Sequence, residues 1–290
     1  MDRMEQLRRG LHKEMFGVEV GPFYNPVVPR SEGWQTTVVD FTDRAGLLQR
    51  ALSSNQSDMI AMSSRIEEVD IVWSGGPLDQ LCLKRRPEGF DYFVASHVIE
   101  HIPNLIGFFS SLARLLRPEG IISLAVPDLR YCFDFYKAPT TTAGLLAAHR
   151  ADRQIHAAET IFEAEACTSL VNGRGAWTRE PFIIPMISGD LFAAYKVYRE
   201  YIEAERQGLQ TYKDAHCWYF TPAYFEIVSF ELNCLGLIDF DVNWIEENEG
   251  SEFIVQMKRS QNKLSVEEVH GKRQALYRRA MGELTNRSPY

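Results

Sequence analysis

Val18-Glu19-Val20-Gly21-Pro22-Phe23-Tyr24-Asn25-Pro26, followed about twenty residues later by Val38-Val39-Asp40, is the stretch that decides the fold. A short apolar run ends in an acid and a glycine, and a second apolar run ends in another acid. The pattern predicts two adjacent strands of an open α/β sheet. The first delivers the chain to a tight turn at its carboxyl end, and the second delivers an acceptor for a pair of ribose hydroxyls. A dinucleotide site would need three glycines for close backbone approach to a pyrophosphate. Here Gly21 stands alone and Pro22, Phe23 and Tyr24 fill the turn, which disfavours a nicotinamide-dependent oxidoreductase. Glu19 lies inside the strand end, where a carboxylate can orient a cationic amino-acid moiety.

Working outward, strands are predicted at Phe16–Val20, Thr36–Asp40, Val69–Trp73, Phe90–Ala95 and Ile121–Val126. Leu47-Leu48 and Ala51-Leu52 mark one intervening helix, and Asn104–Leu116 a clearer one, ended by Arg117-Pro118 and Gly120. Residues 1–15 are mildly amphipathic. The alternation then breaks: residues 127–216 hold no good strand but carry two helical patterns, Leu145–Cys167 and Asp190–Gln207, the second with Asp190 as N-cap. The core resumes at Thr221-Pro222, a cap followed by proline in the first turn. Leu237–Glu246 and Ser251–Lys258 read as a terminal hairpin, and 265–284 as a last helix. The organisation is a core over 1–135, a helical insertion over 136–216 serving as an acceptor lid or a dimerisation arm, a return to the core over 217–260, and a tail over 261–290.

At 290 residues, 45% hydrophobic and 24% charged, the chain has room for one large α/β domain plus an insertion. A net charge of −8 gives no general affinity for phosphate backbones, so nucleic acid is not the expected partner. Five cysteines without Cys-x-x-Cys spacing read as buried thiols in a reducing compartment. No segment reaches the length of a membrane span, and the charged start Met1-Asp2-Arg3-Met4-Glu5 is unlike a signal peptide, giving a cytoplasmic expectation.

Glu19-x-Gly21 with Pro26 resembles the first motif of the class I S-adenosylmethionine-dependent methyltransferases. Two further segments carry the same resemblance in order. Asp91-Tyr92-Phe93-Val94-Ala95-Ser96-His97-Val98-Ile99-Glu100-His101 is similar to that family's fourth strand and its exit. Leu115-Leu116-Arg117-Pro118-Glu119-Gly120 is similar to its turn into strand five. Together they cover roughly residues 1–135. The resemblance implies a Rossmann-like α/β fold with a seven-stranded, mostly parallel sheet, an antiparallel terminal hairpin and a helical insertion after strand five. It implies S-adenosyl-L-methionine as cofactor, held by Glu19, Gly21, Pro22 and Tyr24 at the first turn and Asp40 at the ribose. Gly76 and Leu78 would lie at the adenine, with Ser96 and His97 beside the methionine portion.

Methyl transfer to a hydroxyl needs positioning and removal of a proton. His101 and His216 are the candidate bases, the latter in an aromatic loop at the junction of insertion and core. After strand five, Asp128, Arg130, Tyr131 and Asp134 offer carboxylates, a forked donor and a ring face, a mixture suited to a sugar. Asp128 is expected to orient the acceptor, and Arg130, Tyr131 and Asp134 to bind it. An internal Arg130–Asp134 ion pair is the plainer alternative. This run and the later His216-x-Trp218-x-Phe220-Thr221-Pro222 stretch resemble bacterial methyltransferases associated with polysaccharide biosynthesis, implying O-methylation of a sugar or glycan hydroxyl.

His97, Glu100 and His101, spaced to share one face of a short helix, resemble the acid-x-x-Glu-His metal cluster of small-RNA 2′-O-methyltransferases, with His97 where that family has an acid. No metal is assigned on that spacing alone. A metal-dependent O-methyltransferase acting on another hydroxylated small molecule or an RNA end remains one alternative. A non-catalytic methyltransferase-like binding module is another. A homodimer is compatible with either.

Overall fold

A computed structural model describes residues 1–54, 56–180, 183–260 and 263–285. In chain order the elements are α1 (Arg3–Leu7), β1 (Phe16–Val20), β2 (Gln35–Asp40), α2 (Arg44–Leu52), α3 (Ser57–Ala61), β3 (Ile71–Val72), α4 (Leu78–Arg85) and β4 (Phe90–Ser96). There follow α5 (Leu105–Leu115), β5 (Leu116–Pro127), α6 (Thr142–Arg150), α7 (Ala158–Ala166), β6 (Ser169–Leu170), β7 (Met186–Ile187) and α8 (Leu191–Arg206). The last are α9 (Pro222–Cys234), β8 (Phe240–Glu247), β9 (Glu252–Arg259) and α10 (Val266–Thr285).

Among the described residues the main sheet has seven strands in the order β3-β2-β1-β4-β5-β9-β8. The first five run parallel, and β9 and β8 close the sheet antiparallel. The two faces follow from strand alternation. Val18, Val20, Phe93 and Ala95 point into the larger core with α4, α5 and α9. Tyr92 and Val94 point the other way, against Leu7, Leu11, Val27 and Val28. Gly17 is required by that second face. A Cβ there would lie 1.8 Å from the Tyr92 ring, which crosses β1 so that its hydroxyl meets Thr36 Oγ1 at 3.0 Å.

Parallel strands of one sheet bring their carboxyl ends to one edge. Here that edge collects the ends of β1, β2, β4 and β5, and the register Pro127↔Glu252 adds the first residue of β9. Local details differ from the sequence expectation. β3 is two residues long. β5 begins at Leu116 and carries Arg117-Pro118-Glu119-Gly120 as a bulge opposite Asp91, which pairs with Arg117 at 2.7 Å. The helix expected over Leu145–Cys167 is two helices. The chain breaks at Asp152, whose φ of +44° is a left-handed conformation that aspartate tolerates. The break separates their roles, since Leu145 and Ala148 of α6 join the main core while Ile161 of α7 packs with Tyr201 of α8. The stretch expected to lack strands contains the small β6–β7 hairpin.

The segment after β5 is tied back to the sheet edge where it returns. Leu129 N–H donates to the Phe220 carbonyl (2.8 Å), Cys217 N–H to the Glu100 carbonyl (2.7 Å), and the Trp218 indole to the Ile102 carbonyl (2.7 Å). These bonds set the loop carrying His216 against the loop that leaves β4. Thr221 caps α9 and Asp190 caps α8, as expected.

Candidate active site

At the donor end, Gly21 takes a φ of +66°, which only glycine adopts without strain, and its N–H donates to the Val39 carbonyl at 2.9 Å. Phe23 also lies at positive φ and packs edge-on against Tyr24, the two rings lying over the α2 cluster. Asp40 ends β2 almost wholly buried. Its Oδ1 accepts the Phe41 N–H at 2.8 Å, whereas Oδ2 has no hydrogen-bond partner. Burial raises its pKa, against the pull of the backbone N–H groups. A buried carboxylate oxygen left free at the end of β2 fits a ribose hydroxyl pair.

Glu19 does something other than expected. It points to the α1 face of β1, and its two oxygens accept Val27 N–H at 2.6 Å and Val28 N–H at 3.1 Å. Burial pushes its pKa up to about 7, against these two bonds. The carboxylate thus holds the loop after β1 in place rather than meeting a ligand amine directly. Leu78 is a second correction. It is fully buried in the main core at the start of α4 and offers no face to an adenine ring. Gly75 and Gly76 fare better, since both take positive φ with open space where a Cβ would stand.

At the end of β4, Ser96 Oγ accepts from Arg3 Nη2 at 2.6 Å. His97 sits at φ +55°, a strained value for a side chain of that size, held by its N–H to the Ala125 carbonyl. Its Nε2 lies 2.7 Å from Glu252 Oε2, and Arg3 Nε donates to Glu252 Oε1 at 2.6 Å.

Beyond His97 lies a polar cluster that assembles the notable histidines. A single 3₁₀ turn over 99–101 places Glu100 and His101. Glu100 is 1% exposed, and neither carboxylate oxygen has a hydrogen-bond partner. Around its Oε1 stand His97 Nδ1 at 3.7 Å, His101 Nε2 at 3.9 Å and His216 Nε2 at 3.8 Å. His101 and His216 meet edge to face with ring centroids 4.6 Å apart. The other nitrogen of each faces a carboxylate: His216 Nδ1 is hydrogen-bonded to Asp134 Oδ2 at 2.6 Å, while His101 Nδ1 lies 2.8 Å from Asp214 Oδ1, an ion-pair contact off the hydrogen-bond direction. Asp134 is itself paired with the buried Lys137 at 2.7 Å. Burial opposes ionisation of Asp134, but His216 and Lys137 prevail and hold its pKa below the usual carboxylate value. Burial likewise opposes protonation of His101, but Asp214 and Glu100 outweigh it and raise its pKa.

Asp128 lies elsewhere. It is fully buried, and Arg130 embraces it through Nε (2.9 Å) and Nη2 (2.6 Å) while Arg130 N–H donates to the same carboxylate. Arg130 also reaches Glu247 at 3.2 Å, and its guanidinium lies over the Tyr131 ring. This knot fixes the strand-five exit, so neither Asp128 nor Arg130 presents a free group to an acceptor. Asp134 is similarly engaged, and the (i, i+4) pair between Arg130 and Asp134 is replaced by these other partners. Beside the knot, an open cleft of about 740 Å³ is lined by Arg3, Gln6, Arg179, Glu247, Asn248 and Glu252. Sequence reading missed Glu252 and Asp214 as imidazole partners. It also missed His156, buried with neither ring nitrogen hydrogen-bonded, whose pKa burial and the neighbouring His101 push down to about 4.

A family model described as a methyltransferase domain matches residues 16–176, more than half of the chain, and the chain belongs to that family. Sheet order and terminal hairpin agree with it, and the fold is that of a class I S-adenosylmethionine-dependent methyltransferase. No curated protein matches it. Among solved structures it is similar to the mitomycin 7-O-methyltransferase MmcR, at 11% identity and TM-score 0.39, with 89% of this chain and 53% of that one covered. This chain therefore spans about half the length of that enzyme. It is also similar to an S-adenosylmethionine-dependent methyltransferase from Mesorhizobium loti (14%, TM-score 0.41, 88% and 98% covered). A third is the glycopeptide N-methyltransferase MtfA complexed with sinefungin (12%, TM-score 0.34, 90% and 95% covered). Among the described residues no helix is long and apolar enough to cross a membrane.

Proposed function

We propose that this methyltransferase acts on a hydroxyl group of a polyhydroxylated, sugar-like small molecule, activated at the cluster of Glu100, His101 and His216. S-adenosylmethionine, when bound, supplies an electrophilic methyl group on a sulfonium. Asp40 would hold its ribose, the Gly21 turn and the Gly75-Gly76 loop would admit its backbone-facing edges, and Ser96 and His97 would border its methionine end. The observation that carries the acceptor reading is the pair of imidazoles backed by carboxylates just beyond β4, His216 hydrogen-bonded to Asp134 and His101 in ion-pair contact with Asp214. A carboxylate behind an imidazole fixes its tautomer and directs the far nitrogen at its target. An amine acceptor needs less help, whereas a hydroxyl must give up its proton as its oxygen attacks. The charged cleft beside Glu252 supports a hydroxyl-rich acceptor, which ion-paired carboxylates and guanidinium groups can bind through hydrogen bonds. The insertion, fastened at the same edge, would roof that acceptor.

The experiment is methyl transfer from labelled S-adenosylmethionine to free sugars and nucleotide sugars, with amines as the contrasting class. S-adenosylhomocysteine binding is measured by calorimetry on the same preparation, with NAD as the control ligand. Transfer to hydroxyl acceptors that is lost in His216→Ala supports the reading. Transfer to amines alone would refute it.

A further inference from the structure

The polar cluster leaves one buried group unexplained. Glu100 is 1% exposed and its two oxygens accept no hydrogen bond. A carboxylate so placed carries a large desolvation cost unless a positive charge compensates it. The three imidazole nitrogens that surround its Oε1 stop at 3.7 to 3.9 Å, too far for hydrogen bonds. We propose that Glu100 Oε1, His101 Nε2 and His216 Nε2 bind a divalent first-row transition-metal ion, leaving a coordination position open toward the acceptor.

The donor atoms of these three residues lie within 4.8 Å of one another. Zinc-like ions sit about 2.0–2.2 Å from nitrogen and oxygen donors, so tetrahedral neighbours stand about 3.3 Å apart. Closing the present arrangement onto an ion needs the side chains to draw in by about half an ångström. The outward-facing nitrogens give the second argument. Metal-bound imidazoles characteristically present their other nitrogen to a carboxylate, which fixes the tautomer and strengthens the ligand. Here His101 has Asp214 at 2.8 Å and His216 has Asp134 at 2.6 Å. His97, at the rim, has Glu252 at 2.7 Å and turns its Nδ1 to the same Glu100 oxygen. Each imidazole around Glu100 thus has a carboxylate behind it, hydrogen-bonded for His97 and His216 and in ion-pair contact for His101.

Two imidazoles and one carboxylate suit zinc, iron, nickel or cobalt better than magnesium or calcium, which prefer all-oxygen sets. Three protein ligands with an open position is also the arrangement of catalytic rather than structural sites. The consequence for chemistry rests on the hydroxyl reading above, but the existence of the site does not. A hydroxyl oxygen on the open position would be easier to ionise. In that state the two Nε2 atoms are ligands and His101 and His216 act through the ion.

The test uses the full chain after treatment with chelator. Zinc and cobalt are titrated by calorimetry, and the cobalt form is read by its visible absorption. One ion per chain is expected, undisturbed by magnesium at equal concentration. Glu100→Gln and His216→Gln should each abolish binding, and Asp134→Asn should weaken it about 10- to 100-fold. His149→Gln, an exposed imidazole bonded to Asn104, should bind as the parent does. Circular dichroism and S-adenosylhomocysteine affinity report that each variant is folded. No ion bound, or equal binding by Glu100→Gln, overturns the site, and equal competition by magnesium overturns its nitrogen ligation. Methyl transfer is assayed separately. An ion bound without transfer to hydroxyl acceptors refutes the proposed function alone. Transfer indifferent to chelator, with no ion bound, refutes the metal site alone.

Discussion

Asp40 Oδ2, at the end of β2, and the Glu100 carboxylate, just past β4, are buried oxygens without partners on the carboxyl edge of one sheet. Folding that hides an acceptor without filling it loses free energy, so such atoms mark places where a ligand completes the structure. For Asp40 the proposed ligand is a ribose. Hydrogen bonds to a charged group contribute about 1.5–3 kcal/mol, so Asp40→Ala should weaken S-adenosylhomocysteine binding roughly 10- to 150-fold while leaving the fold intact. Calorimetry decides this, and an unchanged dissociation constant would remove Asp40 from the site. At the acceptor end, His216→Ala should lower turnover by about 10² to 10⁴ with nucleoside affinity held within a factor of two or so. Normal turnover would exclude His216. The two ends of the site also differ in legibility. The place of Asp40 at the end of β2 was readable, because a strand end is a local pattern about twenty residues from Glu19. The imidazole partners were not, since Asp134 lies 82 residues from His216 and Glu252 lies 155 from His97.

Elements explain why some local signals survived folding and others did not. β1 and β4 were readable because strands buried on both faces are near-continuous apolar runs, and α5, α8 and α9 because caps and apolar spacing agree. The split into α6 and α7 was not, because no glycine or proline marks the non-helical stretch 151–157, in which Asp152 takes a left-handed conformation. Leu78 shows the same limit. Its place after Gly76 and Pro77 suggested a ligand contact, but α4 starts there and turns it inward. Gly17 is a signal that sequence reading passed over entirely. Its role is to let the Tyr92 ring lie across β1, so Gly17→Ala forces the ring or the strand to move. Overpacking of this kind costs about 1–3 kcal/mol. Chemical denaturation should show that loss, and Tyr92→Phe, which keeps the ring but not the Thr36 contact, should not relieve it. Unchanged stability of Gly17→Ala would mean that the ring is not confined there.

Over the whole molecule, buried ionisable groups oppose one another in setting the pH at which the fold is strongest. His156 is kept neutral by burial, so its contribution is present above its ordinary pKa of 6.5 and is lost as pH falls toward 4. Glu252, buried but held by His97 and Arg3, has its pKa lowered to about 2. Its contribution is present above 4.5 and disappears as pH falls from there toward 2. Glu19 runs the other way. Its pKa rises from 4.5 to about 7 on folding because burial disfavours its charge more than the Val27 and Val28 N–H groups favour it. The folded state therefore binds a proton that the unfolded chain has released, and stability attributable to Glu19 is full below pH 4.5 and falls as pH rises to 7. At 1.36 kcal/mol for each tenfold change in proton affinity, the loss is about 3 kcal/mol. Glu19→Gln removes the titration and retains an oxygen for the Val27 N–H. Unfolding free energies measured at pH 5 and pH 8 should thus diverge: relative to the variant, the parent should lose about 3 kcal/mol between the two. Stability curves that stay parallel would show that Glu19 keeps its charge on folding. The loop after β1 would then be held by an ionised carboxylate, and its N–H bonds would have to outweigh the burial that opposes them.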